Sequence, residues 1–450
     1  MNKRVGAAGI VILGGLVGFV LVAHGYGPPR IHLPLYILCA LVHLWAVADS
    51  RLVRNSRSAL PSVIIIALLL RLVVCLTPES RGADYYRYLW DGALTANGIS
   101  PYRYSPAEAL RGETDHPEIA RLTRDGREIL AKINHPELRT IYPPVAQGLF
   151  ALSYWIEPFN STAWRAVLLL MDLTAGLLIL ILLRSARLPL TWATAYLWNP
   201  FLVIETYHFR HLDVALAPFL LVFIWGLSRR KAVVSAAGLA GAVAVKLWPA
   251  LLFPLLVADF RQNRALALRK ALVFACLAAT LLTPYWVSLG SEANSGTVAY
   301  AKTWDANEFG FKILERAGGH LSRWSGSIID GRIIARALVV LLLFGASAWF
   351  ALLSHNKGLE ATALAAGTLI LLMLLIGPTV YPWYFVPGVA MAPFLRRPAL
   401  IFWTPLLALT YLSRSVSYPS AFFAMVHLPA WAMLVMQIHD LHRRRTKRDD

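Results

Sequence analysis

The sequence predicts an all-α, polytopic membrane protein, and three observations carry that expectation. Of its 450 residues, 57% are hydrophobic and only 15% are charged, with a mean hydropathy of +0.56; ordinary soluble domains carry roughly 25% charged residues. Apolar stretches of about 17–25 residues recur along nearly the whole chain, the length that a hydrocarbon core about 30 Å thick demands of a helix. Basic residues gather in the short connections between those stretches. The alternating strand pattern of a closed barrel is absent from the sequence.

The basic connections orient the spans. Arg51, Arg54 and Arg57 share one, Arg229, Arg230 and Lys231 another, and Arg261, Arg264, Arg269 and Lys270 a third; Arg396 and Arg397 follow, and the chain ends in HRRRTKRDD. Short basic connections mark the cytoplasmic side of a membrane protein. The net charge of +18 is thereby explained by orientation, and nucleic acid, the partner such a charge suggests in a soluble chain, is not expected. The three cysteines, Cys39, Cys75 and Cys276, all fall in apolar runs and offer neither a disulfide framework nor a metal spacing.

With these connections inside, spans at about 5–23, 34–49 and 60–77 carry the chain outside near Thr77. The first is read as a retained span, because LVAHGYG is a poor small-x-small cleavage site. A polar loop over 78–145 follows, mixing acids and bases almost evenly, and the apolar stretch after Tyr142 is short for a crossing. The next span, about 163–183, returns to Arg184 and Arg187. Spans near 189–206 and 213–228 enclose TYHFRHLD as a further outer turn. Between Lys231 and Arg261 there is barely length for two crossings, so a short hairpin is expected with Lys246 and Pro249 near its tip. A span at about 271–287 leads to a second long outer loop, 288–331. Four more spans place PTVYPWYF at an outer end and the basic tail 441–450 inside. The expected architecture is a single membrane domain, 1–450, of about twelve spans plus the hairpin, with both termini cytoplasmic.

The stretch DYYRYLWDGALTANGISPYRYSP begins at Asp84, just beyond the third span. There a carboxylate can be held where water meets lipid headgroups, a place suited to amphipathic substrates. It can take a proton from an attacking hydroxyl if its pKa is lifted from about 3.9 or the transition state shares the charge. Asp84, Arg87 and Asp91 would equally suit a surface ion-pair cluster capping a helix, and the residues alone leave both readings open. Arg71 and Asp172 both fall within spans and are expected to pair, since an arginine near the centre of a span costs roughly 2.5–3.5 kcal/mol on insertion scales.

The pattern Asp84-x-x-Arg87-Tyr88-x-Trp90-Asp91-Gly92, then Gly98, Pro101-Tyr102 and Tyr142-Pro143-Pro144, resembles the first outer loop of the GT-C glycosyltransferases. The likeness is closest to the bacterial polyprenyl-phosphate-mannose-dependent mannosyltransferases. It continues through Asn199-Pro200, His211-x-Asp213, Lys246-x-x-Pro249 and Tyr381-Pro382-Trp383-Tyr384, and so covers most of the chain. The resemblance implies a polyprenyl-phosphate donor and transfer of a hexose, with mannose as the leading expectation. Transfer would go with inversion to a hydroxyl of a glycolipid or glycan on the outer face of the bacterial inner membrane. Asp84 matches the family's catalytic base.

Negative charge builds on the leaving phosphate as the glycosidic bond breaks, so it needs basic partners. Arg87, Arg210, His211 and Lys246 are the candidates. His211 and Asp213 are two possible metal ligands without a third, so hydrogen bonding to substrate or phosphate is the expected role, and neither a metal nor a cofactor is required. Tyr88, Asp91, Tyr142, Tyr381 and Trp383 are further candidate substrate contacts. They belong to a set of aromatics at predicted outer ends, with Trp90, Tyr102, Trp304 and Tyr384, although such belts mark any membrane interface. Asn307 and Glu308 are candidates for orienting the acceptor. The alternatives from other classes are a multispan transporter or flippase of lipid-linked saccharides and a noncatalytic assembly protein that binds polyprenyl lipids.

Overall fold

The computed structural model describes all residues except 1–2, 28, 49–55, 80–83, 289–294, 326–328, 396–398, 416–418 and 447–450. Arg51, Arg54, Arg396, Arg397 and the end of the basic tail therefore lie outside the described residues, as does the side chain of Arg57.

The chain folds as an all-α, polytopic membrane protein. Among the described residues there is no strand, only one isolated bridge between Ala306 and Thr379. Among the described residues, six helices are long and apolar enough to cross a membrane: Gly6–Ala23, Ser161–Ser185, Arg264–Val287, Gly331–Ser354, Gly358–Ile376 and Phe422–Arg443. A seventh crossing results if Pro200–His208 and Leu212–Ser228, bent by 112°, are taken as one span. Shorter apolar helices occupy His32–Ala48, Ala59–Cys75, Ala232–Val245 and Leu400–Tyr411.

Where the apolar run is uninterrupted, the helix follows it. Near 189–206, where one span is expected, the chain instead forms short pieces, Leu190–Ala193, Thr194–Leu197, Pro200–Val203 and a π-helical turn over Ile204–His208. Proline lacks the N–H that would continue the ladder and fits best in a first turn, so Pro200 restarts a helix here, although Pro61, Pro284 and Pro429 are accommodated inside longer ones. The same reason breaks 248–261, with Pro249 and Pro254, and 382–394, with Pro382, Pro387 and Pro393. Where a hairpin is expected, Ala232–Val245 ends at Lys246, whose backbone is extended, and short pieces follow from Trp248 to Arg261. The small side chains of Ala232–Val245 let it pack closely on Leu216–Ser228 and Arg264–Ser288.

The expected intramembrane pair is also made. Arg71 Nε lies 2.7 Å from Asp172 Oδ2 and its Nη2 3.1 Å from Oδ1, while Nη1 donates to the carbonyls of Ala67 and Leu197 at 2.9 and 2.7 Å. The Tyr207 hydroxyl donates to Asp172 Oδ2 at 2.6 Å. This network ties the helices Ser56–Cys75 and Ser161–Ser185 to the broken segment beside them.

Two loops fold into helices of their own. The first carries Tyr85–Ala96, Pro106–Arg111, Pro117–Asp125, Arg127–Leu130 and Pro144–Ile156; the second carries Gly296–Thr303 and Gly310–Ser325. The second loop is hooked onto the turn after Gly377. Ala306 N–H donates to Pro378 O at 3.1 Å and Val380 N–H to Ala306 O at 2.8 Å, and Asp305 receives Arg332 and Arg336 at 2.7 and 3.1 Å.

Candidate active site

Asp84 stands immediately before the helix Tyr85–Ala96, yet its side chain makes no capping hydrogen bond. The carboxylate is thus not spent on the helix. The rest of the motif builds the frame that holds it. Gly92 is required by close approach, since a Cβ there would sit 2.3 Å from Phe150 O, and this is how Tyr85–Ala96 seats on Pro144–Ile156. Tyr88 stacks on Phe150 with ring centroids 4.6 Å apart. Arg87 donates to the carbonyls of Leu138 and His135 at 3.0 and 2.8 Å, gathering the end of the first loop beside Asp84. Tyr102 O–H donates to Tyr142 O at 2.9 Å, and Gln147 Nε2 joins Asp91, Thr140 and Tyr142 at 3.2–3.3 Å.

Above this frame lies a cavity of about 560 Å³, within the range of small-molecule sites. Its walls are Asp84 and Arg87, the segment that ends at Tyr142, residues of 296–304 and the turn Tyr381–Tyr384. Gly296 matters here as a second close approach, because a Cβ would meet Arg139 O at 2.2 Å; the two loops touch at this point. His135, whose φ is +53°, packs edge-on against Trp304 with centroids 4.5 Å apart and closes the contact between them.

Of the residues expected from sequence, Asp84, Arg87, Tyr142, Tyr381 and Trp383 share the wall. His211 and Lys246 lie against wall residues. The His211 ring is stacked on Trp383 with centroids 3.7 Å apart, and its Nδ1 is 4.0 Å from Asp84 Oδ2. Lys246 Nζ sits 4.3 Å from the ring centre of Tyr384 and 2.7 Å from Asp213 Oδ1.

Arg210, in contrast, faces elsewhere. At φ +62° its guanidinium lies over Tyr85, 4.5 Å from the ring centre, and donates to Pro78 O at 3.2 Å. Tyr88 and Asp91 are buried in the frame and line no part of the cavity. Asn307 donates to Val380 O at 3.1 Å and Glu308 pairs with Lys312 at 3.1 Å, so both serve the second loop rather than the wall. Among the described residues no group of three or more His, Cys, Asp or Glu is placed to hold a metal.

Sequence reasoning did not single out His135, Arg139 or Tyr300, which line the cavity, nor Glu205 behind it. The signal for Glu205 was present as a lone acid in the apolar stretch FLVIETY, since a carboxylate at membrane depth is costly without a purpose.

The side chain of Asp84 is 36% exposed. Burial pushes its carboxyl above the usual carboxylate range, Lys246 pulls it back down, and Asp213 adds an upward push. Burial also lifts Asp91, to about 6, against the downward pull of Arg87.

Residues 140–378, just over half of the chain, match glycosyltransferase family 87. The matched stretch contains Tyr142, His211, Asp213, Lys246 and the second loop, while Asp84 precedes it and the Tyr381–Tyr384 turn follows it. A search of curated proteins found no match. Its extent, on a polytopic helical fold with a polar cavity between two folded loops, identifies the chain as a member of glycosyltransferase family 87, a membrane glycosyltransferase of the GT-C type.

Proposed function

We propose that this glycosyltransferase moves a hexose, with mannose as the leading candidate, from a polyprenyl-phosphate donor to a hydroxyl of a glycolipid or glycan acceptor. The reaction inverts the anomeric carbon and takes place on the outer face of a bacterial inner membrane. The observation that carries this reading is Asp84, an uncapped carboxylate in the wall of a 560 Å³ cavity whose remaining lining is largely basic and aromatic.

In this scheme the acceptor oxygen attacks the anomeric carbon, Asp84 takes its proton, and the bond to the donor phosphate breaks. Inversion needs one base and an in-line leaving group, so no enzyme nucleophile is involved. The upward push of burial on Asp84 makes it a stronger base than an exposed aspartate. Arg87 in the wall and Lys246 beside Tyr384 supply positive charge for the phosphate. The prenyl chain lies between helices while the phosphate and sugar enter the cavity.

The topology belongs to the same reading. Every wall segment comes from a region that the basic connections assign to the outside, with 78–145 and 288–331 as the two outer loops. We read the short apolar helices and the proline-broken segments as completing about twelve crossings, with both termini cytoplasmic.

The test is transfer by purified protein in nanodiscs, from polyprenyl-phosphate-mannose to a panel of glycolipid and glycan acceptors, with wild type beside Asp84→Asn. The expected result is transfer by wild type that falls by about 10³-fold or more in the variant, with donor binding retained. Equal transfer by both proteins removes Asp84 from the mechanism. No transfer from any polyprenyl donor overturns the donor assignment.

A further inference from the structure

Glu205 has no part in the reaction as described so far, yet its surroundings are unusual. It lies in the π-helical turn Ile204–His208 and is 2% exposed. One of its oxygens accepts a hydrogen bond from Tyr411 O–H at 2.7 Å. The other has no hydrogen-bond partner and stands 3.7 Å from His211 Nε2. On the far side of the same imidazole, Nδ1 also lacks a hydrogen bond and is 4.0 Å from Asp84 Oδ2. Stacking on Trp383 fixes the plane of the ring, and His211 N–H donates to Glu205 O at 3.1 Å, which sets the two side chains in register. Four groups thus form a chain of contacts from Tyr411, itself partly exposed, to the cavity: Tyr411, Glu205, His211 and Asp84.

A buried carboxylate kept only for packing is expected to have both oxygens paired, because an unpaired one is costly. Asp172 in this molecule meets that expectation. Glu205 does not, and π-helical turns are frequent at functional positions. The two gaps beside His211 are slightly longer than hydrogen bonds, and such contacts commonly tighten when substrate binds.

We propose that Glu205 is a positioning residue of the transfer reaction: backed by Tyr411, it orients His211 so that Nδ1 receives the proton that Asp84 takes from the acceptor. The inference rests on the reading of Asp84 as the base. As the acceptor oxygen bonds to the anomeric carbon, the bond from that carbon to the phosphate oxygen breaks and its electron pair leaves on the phosphate. The hydroxyl proton passes to Asp84 and from there to His211 Nδ1, while His211 Nε2 keeps its own proton and faces the Glu205 carboxylate. After the products leave, the proton returns through Asp84 to water, and no further reactant is consumed. Burial first, then Lys246 and His208, hold His211 below its ordinary range, so Nδ1 carries the proton only in passing; the charge of Lys246 is offset by Asp213 at 2.7 Å.

The experiment is steady-state transfer as a function of pH by full-length Glu205→Gln and Tyr411→Phe, using the polyprenyl-phosphate-mannose donor, with Asp84→Asn alongside. Glu205→Gln is expected to lower kcat at least tenfold with the donor KM within twofold. It also shifts the acid limb of the kcat profile, because the group behind the proton acceptor can no longer ionise. Tyr411→Phe, which removes a single hydroxyl, is expected to lower kcat several-fold with the donor KM unchanged. It decides the matter if Glu205→Gln does not yield monodisperse protein.

Wild-type kcat in the variants that fold overturns the inference. So does a joint loss of kcat and donor affinity with an unmoved pH profile, which would leave Glu205 a packing residue. Full transfer by Asp84→Asn removes the base and this inference together, whereas an inactive Asp84→Asn beside unaltered Glu205→Gln and Tyr411→Phe removes this inference alone.

Discussion

Two clusters of buried charge lie in the same helical bundle and are built on different terms. Around Arg71 and Asp172, both carboxylate oxygens and the guanidinium are engaged by side chains or carbonyls. Beside the cavity, Asp213 Oδ2, Glu205 Oε2 and His211 Nδ1 are buried without hydrogen-bond partners, although each residue has a charged neighbour. The first cluster is closed, and its charge holds helices together. The second, next to Asp84, is left incompletely hydrogen-bonded.

The comparison is broken most directly at the closed cluster. Arg71→Met leaves Asp172 buried and unpaired and is expected to cost about 3–5 kcal/mol of stability, while pairing it with Asp172→Leu recovers most of the loss; thermal unfolding in detergent reads both. At the open cluster the order reverses. Asp213→Asn should change the melting temperature little, yet lower transfer by about ten- to hundredfold, equivalent to about 1.4–2.7 kcal/mol of barrier, because Lys246 loses the partner that aims it. A large melting loss with intact transfer would erase the distinction.

Two further substitutions sharpen the picture around the frame. Gly92→Ala forces a Cβ against a backbone carbonyl and is expected to cost about 1–3 kcal/mol, with reduced transfer, since Asp84 rides on the same helix; melting and transfer assays check it together. Asp91 gives the smallest effect and tests the sign of a buried acid. Its folded-state pKa of about 6 lies above the ordinary 3.8, so its contribution to stability is full below pH 4 and is lost as pH rises through 6. Asp91→Asn, which cannot ionise, is therefore expected to stabilise the first loop by about 1 kcal/mol at pH 7.5 and to flatten its pH dependence. Hydrogen exchange of residues 85–96 at pH 5 and 7.5 measures it.

Much of this architecture was legible because a bilayer imposes a simple demand. Ser161–Ser185 and Gly331–Ser354 are unbroken apolar runs and fold as such. The segments around Pro200, Pro249 and Pro387 were not legible, because summed hydropathy does not register where a missing N–H stops the ladder. Within the site, Asp84, Tyr142 and Trp383 were readable as polar or aromatic groups at span ends, and they share one cavity. Arg210 was misleading because it adjoins His211 in sequence. A left-handed backbone at Arg210 sends its guanidinium to Tyr85, while the neighbouring imidazole meets Trp383. Glu205 was marked in the sequence only as a lone acid in an apolar stretch, and its contact with Tyr411, some two hundred residues later, is one that no local pattern reveals.

That same separation governs how the enzyme comes into being. Asp84 arrives early in synthesis, but one wall of the cavity is the turn Tyr381–Tyr384, fastened to the second loop through Ala306. Until that turn has been made and has docked, Asp84 has no chamber in which to act. A chain still being inserted therefore lacks a finished cavity, and a truncation before Tyr381 is expected to be inert in sugar transfer however well its first loop is folded.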